Sequence, residues 1–212
     1  MRHRLFGISL VFVVTLFAVH FAVAAEFSKN SADITHTYAY KKVGTRLIRK
    51  HGGTDNVRHY SYEDNVTIEK VDGVNCLRMT AVDTFSSLFV TLWFAQDISG
   101  DVYVLKIFDK DNGTPIILGK NGAGLVFPKS FQVGDVVNVF ETVVEVGVTV
   151  GQLSTGLGPY TNCIKTELAN GDFHYWAPNV GTVKVESTDI ERRLELEEVI
   201  QVKSMVTVIP FF

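Results

Sequence analysis

A two-residue apolar period runs through almost everything after residue 26 and leaves this chain few folds to choose from. Leu88, Val90, Leu92 and Phe94 alternate with Ser87, Thr91 and Trp93, and Val144, Val146, Val148 and Val150 with Glu145, Gly147 and Thr149. Leu194, Leu196, Ile200 and Val202 alternate in the same way with Glu195, Glu197, Gln201 and Lys203. Successive side chains of a strand point to opposite faces, so such runs bury one face and wet the other. Intrinsic propensity leaves a helix open over 191–200 (ERRLELEEVI), but its strict alternation favours a strand. Asp72-Gly73, Ser99-Gly100, Asn112-Gly113 and Asn170-Gly171 fall between apolar segments, where hairpins need residues that tolerate positive φ. The expected class is all-β, with roughly eleven to thirteen short antiparallel strands and few or no helices.

The two halves resemble each other. Val43-Gly44 opens the first and Val133-Gly134 the second, and Asn75-Cys76-Leu77-Arg78 matches Asn162-Cys163-Ile164-Lys165. Trp93 to Ile98 matches Tyr175 to Val180, and Gly100-Asp101-Val102 matches Gly181-Thr182-Val183. The order is kept, which implies an internal duplication. The expected organisation is one β domain over 25–212, made of repeats near 37–108 and 127–208. A loose connection over 109–126 joins them, and the sheet curls into a half-barrel or barrel. A unit of five or six strands with one apolar face stands poorly alone, so the halves should pack or join edge to edge.

Residues 1–24 read as an export signal. Arg2 and Arg4 precede a nearly unbroken apolar run from Leu5 to Val23, and Ala22-Val23-Ala24 supplies small residues before a cleavage point at Ala24. The alternative is a membrane anchor, since a run of this length just spans a bilayer. Cleavage leaves a protein that does not span the membrane and lies in the periplasm or outside the cell. Without Arg2 and Arg4, 18 of the 20 basic residues face 23 acidic ones, a formal charge of −5. That surface has no basic footprint for nucleic acid.

Residues 175–184, Tyr-Trp-Ala-Pro-Asn-Val-Gly-Thr-Val-Lys, carry a family likeness. The segment resembles the aromatic–aromatic-Ala-Pro-x-Val-Gly-x-Val-Lys signature of a large group of uncharacterised exported bacterial proteins, some labelled TapB-like. Phe127-Pro128, Val133-Gly134-Asp135 and Asn162-Cys163-Ile164-Lys165 fit the same order of elements. Thr182 departs from the commoner apolar residue, and the group's lipid-attachment Cys is absent. The resemblance implies a curved antiparallel half-barrel that cups apolar matter, distantly like the LolA-like lipoprotein carriers. It supplies no catalytic residues.

Catalytic signatures are missing from the residues themselves. Gly119 to Gly124 lacks the spacing of a phosphate loop. Asp109-Lys110-Asp111-Asn112-Gly113 places its glycine too early for a calcium loop and reads as a polar hairpin turn. His51 and His59 have no identifiable third metal ligand, so they read as structural histidines; no metal and no cofactor is expected. The informative aromatics are Trp93, Phe94, Tyr175 and Trp176, which match between the repeats and place one ring of each pair on each side of the sheet. They are either core anchors or the lining of a ligand site. The leading expectation is a non-enzymatic exported protein that binds a lipid or other apolar or amphipathic molecule in a concave sheet. The alternative is an envelope or extracellular module that binds another protein. Cys76 and Cys163 share parity with polar neighbours, so both thiols are expected on the more polar face, where a disulfide between them or two free thiols remain open.

Overall fold

A computed structural model describes residues 25–39, 42–52, 59–84, 88–137 and 141–201. The expected export signal and its cleavage point at Ala24 lie outside these residues, as does the end of the expected second repeat beyond Gln201. No helix among the described residues is long and apolar enough to cross a membrane.

The described residues form one antiparallel sheet of thirteen strands. The first half comprises β1 (Thr45–His51), β2 (Tyr60–Val71), β3 (Val74–Asp83), β4 (Leu88–Gln96), β5 (Val102–Asp109), β6 (Ile116–Ile117) and β7 (Gly124–Phe127). The second comprises β8 (Val136–Val137), β9 (Glu141–Val150), β10 (Tyr160–Leu168), β11 (Phe173–Ala177), β12 (Gly181–Glu186) and β13 (Leu194–Gln201). The spatial order is β6-β5-β4-β3-β2-β1-β13-β12-β11-β10-β9-β8, with β7 pairing β5 off that path. Two meanders are therefore joined where the first strand of one pairs the last strand of the other, from Thr45 opposite Gln201 to His51 opposite Leu194. The sheet curls but does not close into a barrel.

Local chemistry explains the hairpins. Asp72 (φ 49°) and Gly73 (φ 80°) both take positive φ, the geometry a two-residue turn needs between right-twisted strands. Pro178 has no N–H for a ladder, and β11 ends immediately before it at Ala177. Residues 191–200 resolve as one 3-10 turn, Ile190–Arg192, leading into β13, so alternation overrides helix propensity once a partner strand is present. The expected connection at 109–126 opens with the Asp109–Gly113 turn, yet it also holds β6 and most of β7.

The inner side of the curl carries a continuous core. Leu77 and Met79 of β3, Phe94 of β4 and Val104 and Ile107 of β5 share a cluster with Val137 of β8, Val143 of β9, Ile164 of β10 and Trp176 of β11. Ile34 and Ala39 from the segment before β1, with Val126 and Phe127 of β7, fill the space between. The outer side is also covered. Cys76, Trp93, Ala95 and Leu105 form a second cluster with Val71 and Val74, against which Phe27 and Ala123 pack. Cys163, Ala177 and Val183 form a third with Leu47, Val150, Leu153 and Leu196.

Both thiols lie on the outer face, opposite Leu77 and Ile164, but that face is not wet there. Cys76 and Cys163 are free and both are 0% exposed, because the outer face opposite each is roofed by chain segments that strand parity alone does not reveal. Burial pushes the Cys76 thiol up to about 12 and raises that of Cys163. Two thiols should therefore titrate with a maleimide in denaturant and none in the native protein. Leu77 is equally buried, and Leu77→Ala should lower unfolding free energy by about 2–5 kcal/mol in urea titration. Ile68→Ala, at a half-exposed position, should change it by less than about 0.5 kcal/mol.

Candidate functional site

Each aromatic pair straddles the sheet. Phe94 and Trp176 point into the shared inner core, where the Phe127 and Trp176 rings meet edge to face with centroids 5.2 Å apart. Trp93 belongs to one outer cluster, and Tyr175 packs against the other. The ladder shifts register at the same place in both halves, between Trp93 and Phe94 against β5 and between Tyr175 and Trp176 against β12. A bulge locally re-aims side chains, so one geometry recurs on both meanders. Trp93, Phe94 and Trp176 are buried, and their rings are taken up by neighbours within the chain.

On the outer face the aromatic in each half is flanked by cations. Trp93 lies between Arg78 and Lys106 in the β3-β4-β5 register, with the Lys106 Nζ 4.1 Å from its ring centroid. Its indole N–H donates to Glu69 (2.8 Å), which also pairs with Arg78 (2.8 Å). Burial alone would raise the Glu69 carboxyl, but the Arg78 and Trp93 hydrogen bonds hold it below the usual range. Tyr175 lies between Lys165 and Lys184, and its hydroxyl donates to Glu186 (2.7 Å). Burial and then Glu186 raise the Tyr175 phenol, so it stays protonated. Lys106, Lys165 and Lys184 each lie over a ring, Arg78 pairs with Glu69, and both carboxylates are bonded, which makes these ladders internally satisfied surfaces.

Among the buried polar side chains, Glu141, Arg49 and His51 each anchor a set of partners. Glu141 is 2% exposed; it accepts from the Thr166 hydroxyl (2.5 Å) and lies 3.0 Å from His174 Nδ1. Thr166 in turn accepts the Trp176 indole N–H at 3.0 Å. Arg49 donates to the Thr182 carbonyl at 2.9 Å and pairs with Glu63 at 3.2 Å. His51 places one ring nitrogen 2.7 Å from the Glu191 carbonyl and the other 3.1 Å from Asp83. Burial lowers the His51 pKa, but the Asp83 hydrogen bond and the Glu191 carbonyl more than compensate, so the net shift is upward. None of these groups is presented to a nucleophile, and no cluster that could hold a metal ion occurs among the described residues. His59 stands just before β2.

Two surface features remain. A shallow groove of about 490 Å³ is lined by Phe173, Lys184, Glu186, Ser187, Arg193 and Glu195, and it includes none of the four aromatics. The other feature is the edge of β9. Among the described residues, Val136 and Val137 of β8 pair with Thr142 and Glu141, and Gly134 and Asp135 bond Val143. From Val144 to Thr149 the side of β9 facing away from β10 has no partner among the described residues. Val146 is 47% exposed there, between exposed Glu145 and Gly147. The two-residue length of β8 leaves that edge open, and no pattern within β9 itself announces it.

No protein-family model matches the sequence, and no curated protein matches it, so the TapB-like resemblance rests on its motif alone. A crystal structure of a Bacteroides fragilis protein with a YmcC-like fold aligns with 78% of this chain and 99% of its own, at 13% identity and a TM-score of 0.44.

Two outcomes follow from the buried polar groups. Thr166→Val strips a donor from Glu141 and an acceptor from Trp176, and should cost about 1–3 kcal/mol in denaturant unfolding. His51 has a raised folded pKa, so its contribution is complete below about pH 6.5 and fades as pH climbs through the folded value. His51→Gln should therefore destabilise more at pH 6 than at pH 8, read as the difference in urea midpoints.

Proposed function

We propose that this chain is an exported, non-enzymatic binding module that takes an extended segment of another protein along the open edge of β9. One observation carries the reading: the inner side of the curl is filled while a stretch of β9 has no partner among the described residues. Unpaired N–H and C=O groups along an edge are a template for a further strand, and main-chain hydrogen bonds supply affinity while alternate side chains supply selectivity. Asp135 and Glu145 flank the edge, and the mature chain is acidic, so a partner strand carrying Lys or Arg beside apolar residues fits it best. Gly147, at φ 82°, bends the edge and limits uncontrolled pairing between copies.

The apolar-ligand reading is the weaker of the two. A lipid between the aromatic pairs would have to displace Ile34 and Phe127 from the core, whereas ligand sites are mostly preformed.

A photo-crosslinking amino acid at Val146 tests the proposal in cells that make the protein. A discrete adduct with one envelope protein is expected from position 146, with none from position 68 on the exposed part of β2. Val146→Asp should abolish co-purification of that partner while leaving the urea midpoint within about 0.5 kcal/mol of wild type. Equal adducts from both positions, or none from 146, would remove the edge as the binding site.

A further inference from the structure

The segment before β1 crosses the mouth of the curl and holds both halves. On the first half, Ser31 donates to the Asn75 carbonyl (2.7 Å), the Gln96 N–H donates to the Ser31 carbonyl (2.7 Å), and Gln96 Oε1 accepts the Thr35 and His36 amides at 2.8 and 3.1 Å. On the second half, the Asn179 N–H donates to the Thr37 carbonyl (2.6 Å) and the Tyr38 hydroxyl donates to the Asn162 carbonyl (2.7 Å). Between these two sets of contacts sits His36, 5% exposed, against the Phe127 and Phe131 rings at 5.8 and 5.4 Å.

The surroundings of the His36 ring dictate its protonation state. Nδ1 receives two backbone N–H groups, from Tyr38 at 3.2 Å and Ala39 at 3.1 Å, so it must be the bare acceptor nitrogen. Nε2 therefore carries the proton and donates to the Pro128 carbonyl at 2.8 Å. A proton added at Nδ1 would point at two amide hydrogens and end both bonds, and the residues those bonds fix are the ones that reach the second half.

We propose that His36 is an acid-sensitive latch: protonation of its ring undoes the 36–39 turn, frees the strap from β10 and the β11–β12 turn, and uncovers Phe127, Phe131 and Trp176. Tyr38 would leave with the turn, since its ring packs on Phe131 at 5.3 Å. The first-half contacts through Ser31, Ile34 and Gln96 do not involve the imidazole, so the strap hinges and stays attached.

The charges around the ring agree. Burial lowers the His36 pKa, and this outweighs the Pro128 carbonyl and the field of Asp101, which both raise it. Asp101 itself is engaged by the Lys129 amide at 2.6 Å. Gln96 and Tyr38 are uncharged neighbours, and Lys129 is the cation next to Pro128 in the chain. Because the closed-state pKa lies below that of a released strap, the closed state keeps its full advantage above about pH 6.5 and loses it as pH falls further. Within that window the open population rises about tenfold per pH unit.

Amide hydrogen exchange of the purified mature chain, corrected for intrinsic pH dependence, reads this directly. Peptides covering 34–39 and 126–131 should lose protection about tenfold per pH unit just below 6.5, while β3 and β10 peptides keep theirs. His36→Asn is the decisive variant: its side-chain carbonyl can accept the same two amides but cannot be charged. Its strap protection should be flat from pH 7 to 5. His36→Arg, charged throughout, should show the open exchange pattern already at pH 7. Wild-type strap protection that persists to pH 5, or an equal acid loss in His36→Asn, would overturn the latch. Neither result bears on the β9 edge, which the photo-crosslink tests separately.

Discussion

The shared inner core is the contact on which the rest of this structure depends. A sheet this wide has an apolar inner face that no single helix or loop could cover. It is buried by bending the sheet until β3–β5 and β8–β11 supply side chains to one cluster. Each fully buried Leu, Ile, Val or Phe there contributes about 1.5–3 kcal/mol by removal from water. The curl is thus a consequence of hydrophobic burial acting on a sheet whose twist already favours bending. The pairing of β1 with β13 is its geometric complement, because it makes one continuous surface of two meanders.

Covering both sides of a sheet creates a second requirement. The outer face of each half carries a small apolar cluster, and each is roofed by an irregular segment. The turn over 151–158 does this for the second half: the Ser154 amide and hydroxyl donate to Glu195, and Thr155 donates to the Leu196 carbonyl. In the first half Phe27 packs edge to face on Tyr103 with centroids 5.7 Å apart. The aromatic–cation ladders adjoin these roofs, where a ring's apolar body is buried and its polar tip finds a carboxylate. The two ladders use different residues, Trp93 with Glu69 and Tyr175 with Glu186, for the same arrangement.

The open ends of the curl are where a static barrel would have closed. β7 bonds β5 and β8 bonds β9, and the chain between them runs across the gap without a ladder. The strap before β1 spans the mouth instead, through side-chain and turn hydrogen bonds that one proton can disturb. A strand in that place would have been held by backbone bonds alone and would be indifferent to pH. The same incompleteness leaves several residues of β9 without a partner among the described residues. Closure by a strap rather than by a strand thus underlies both functional proposals.

Much of the fold is legible in the residues because its signals are local. Alternation in Leu88–Phe94 or Val144–Val150 places each side chain on one face or the other, and Asp72-Gly73 or Asn170-Gly171 marks a turn by backbone sterics alone. The site is less legible. Strand parity assigns Cys76 and Cys163 to a face but cannot say whether that face is wet, since Phe27 and Leu153 roof it from far along the chain. Nor does any spacing around His36 reveal that the carbonyl of Pro128, 92 residues away, accepts its hydrogen bond. Strands, turns and the residues that lie back to back across the sheet follow from the order of the residues, because each depends on near neighbours and backbone chirality. Which faces are covered, which edge stays open and which histidine is held neutral emerge only when the chain folds. Those are properties of contacts between segments distant in sequence, brought together when the sheet curls to bury its inner side.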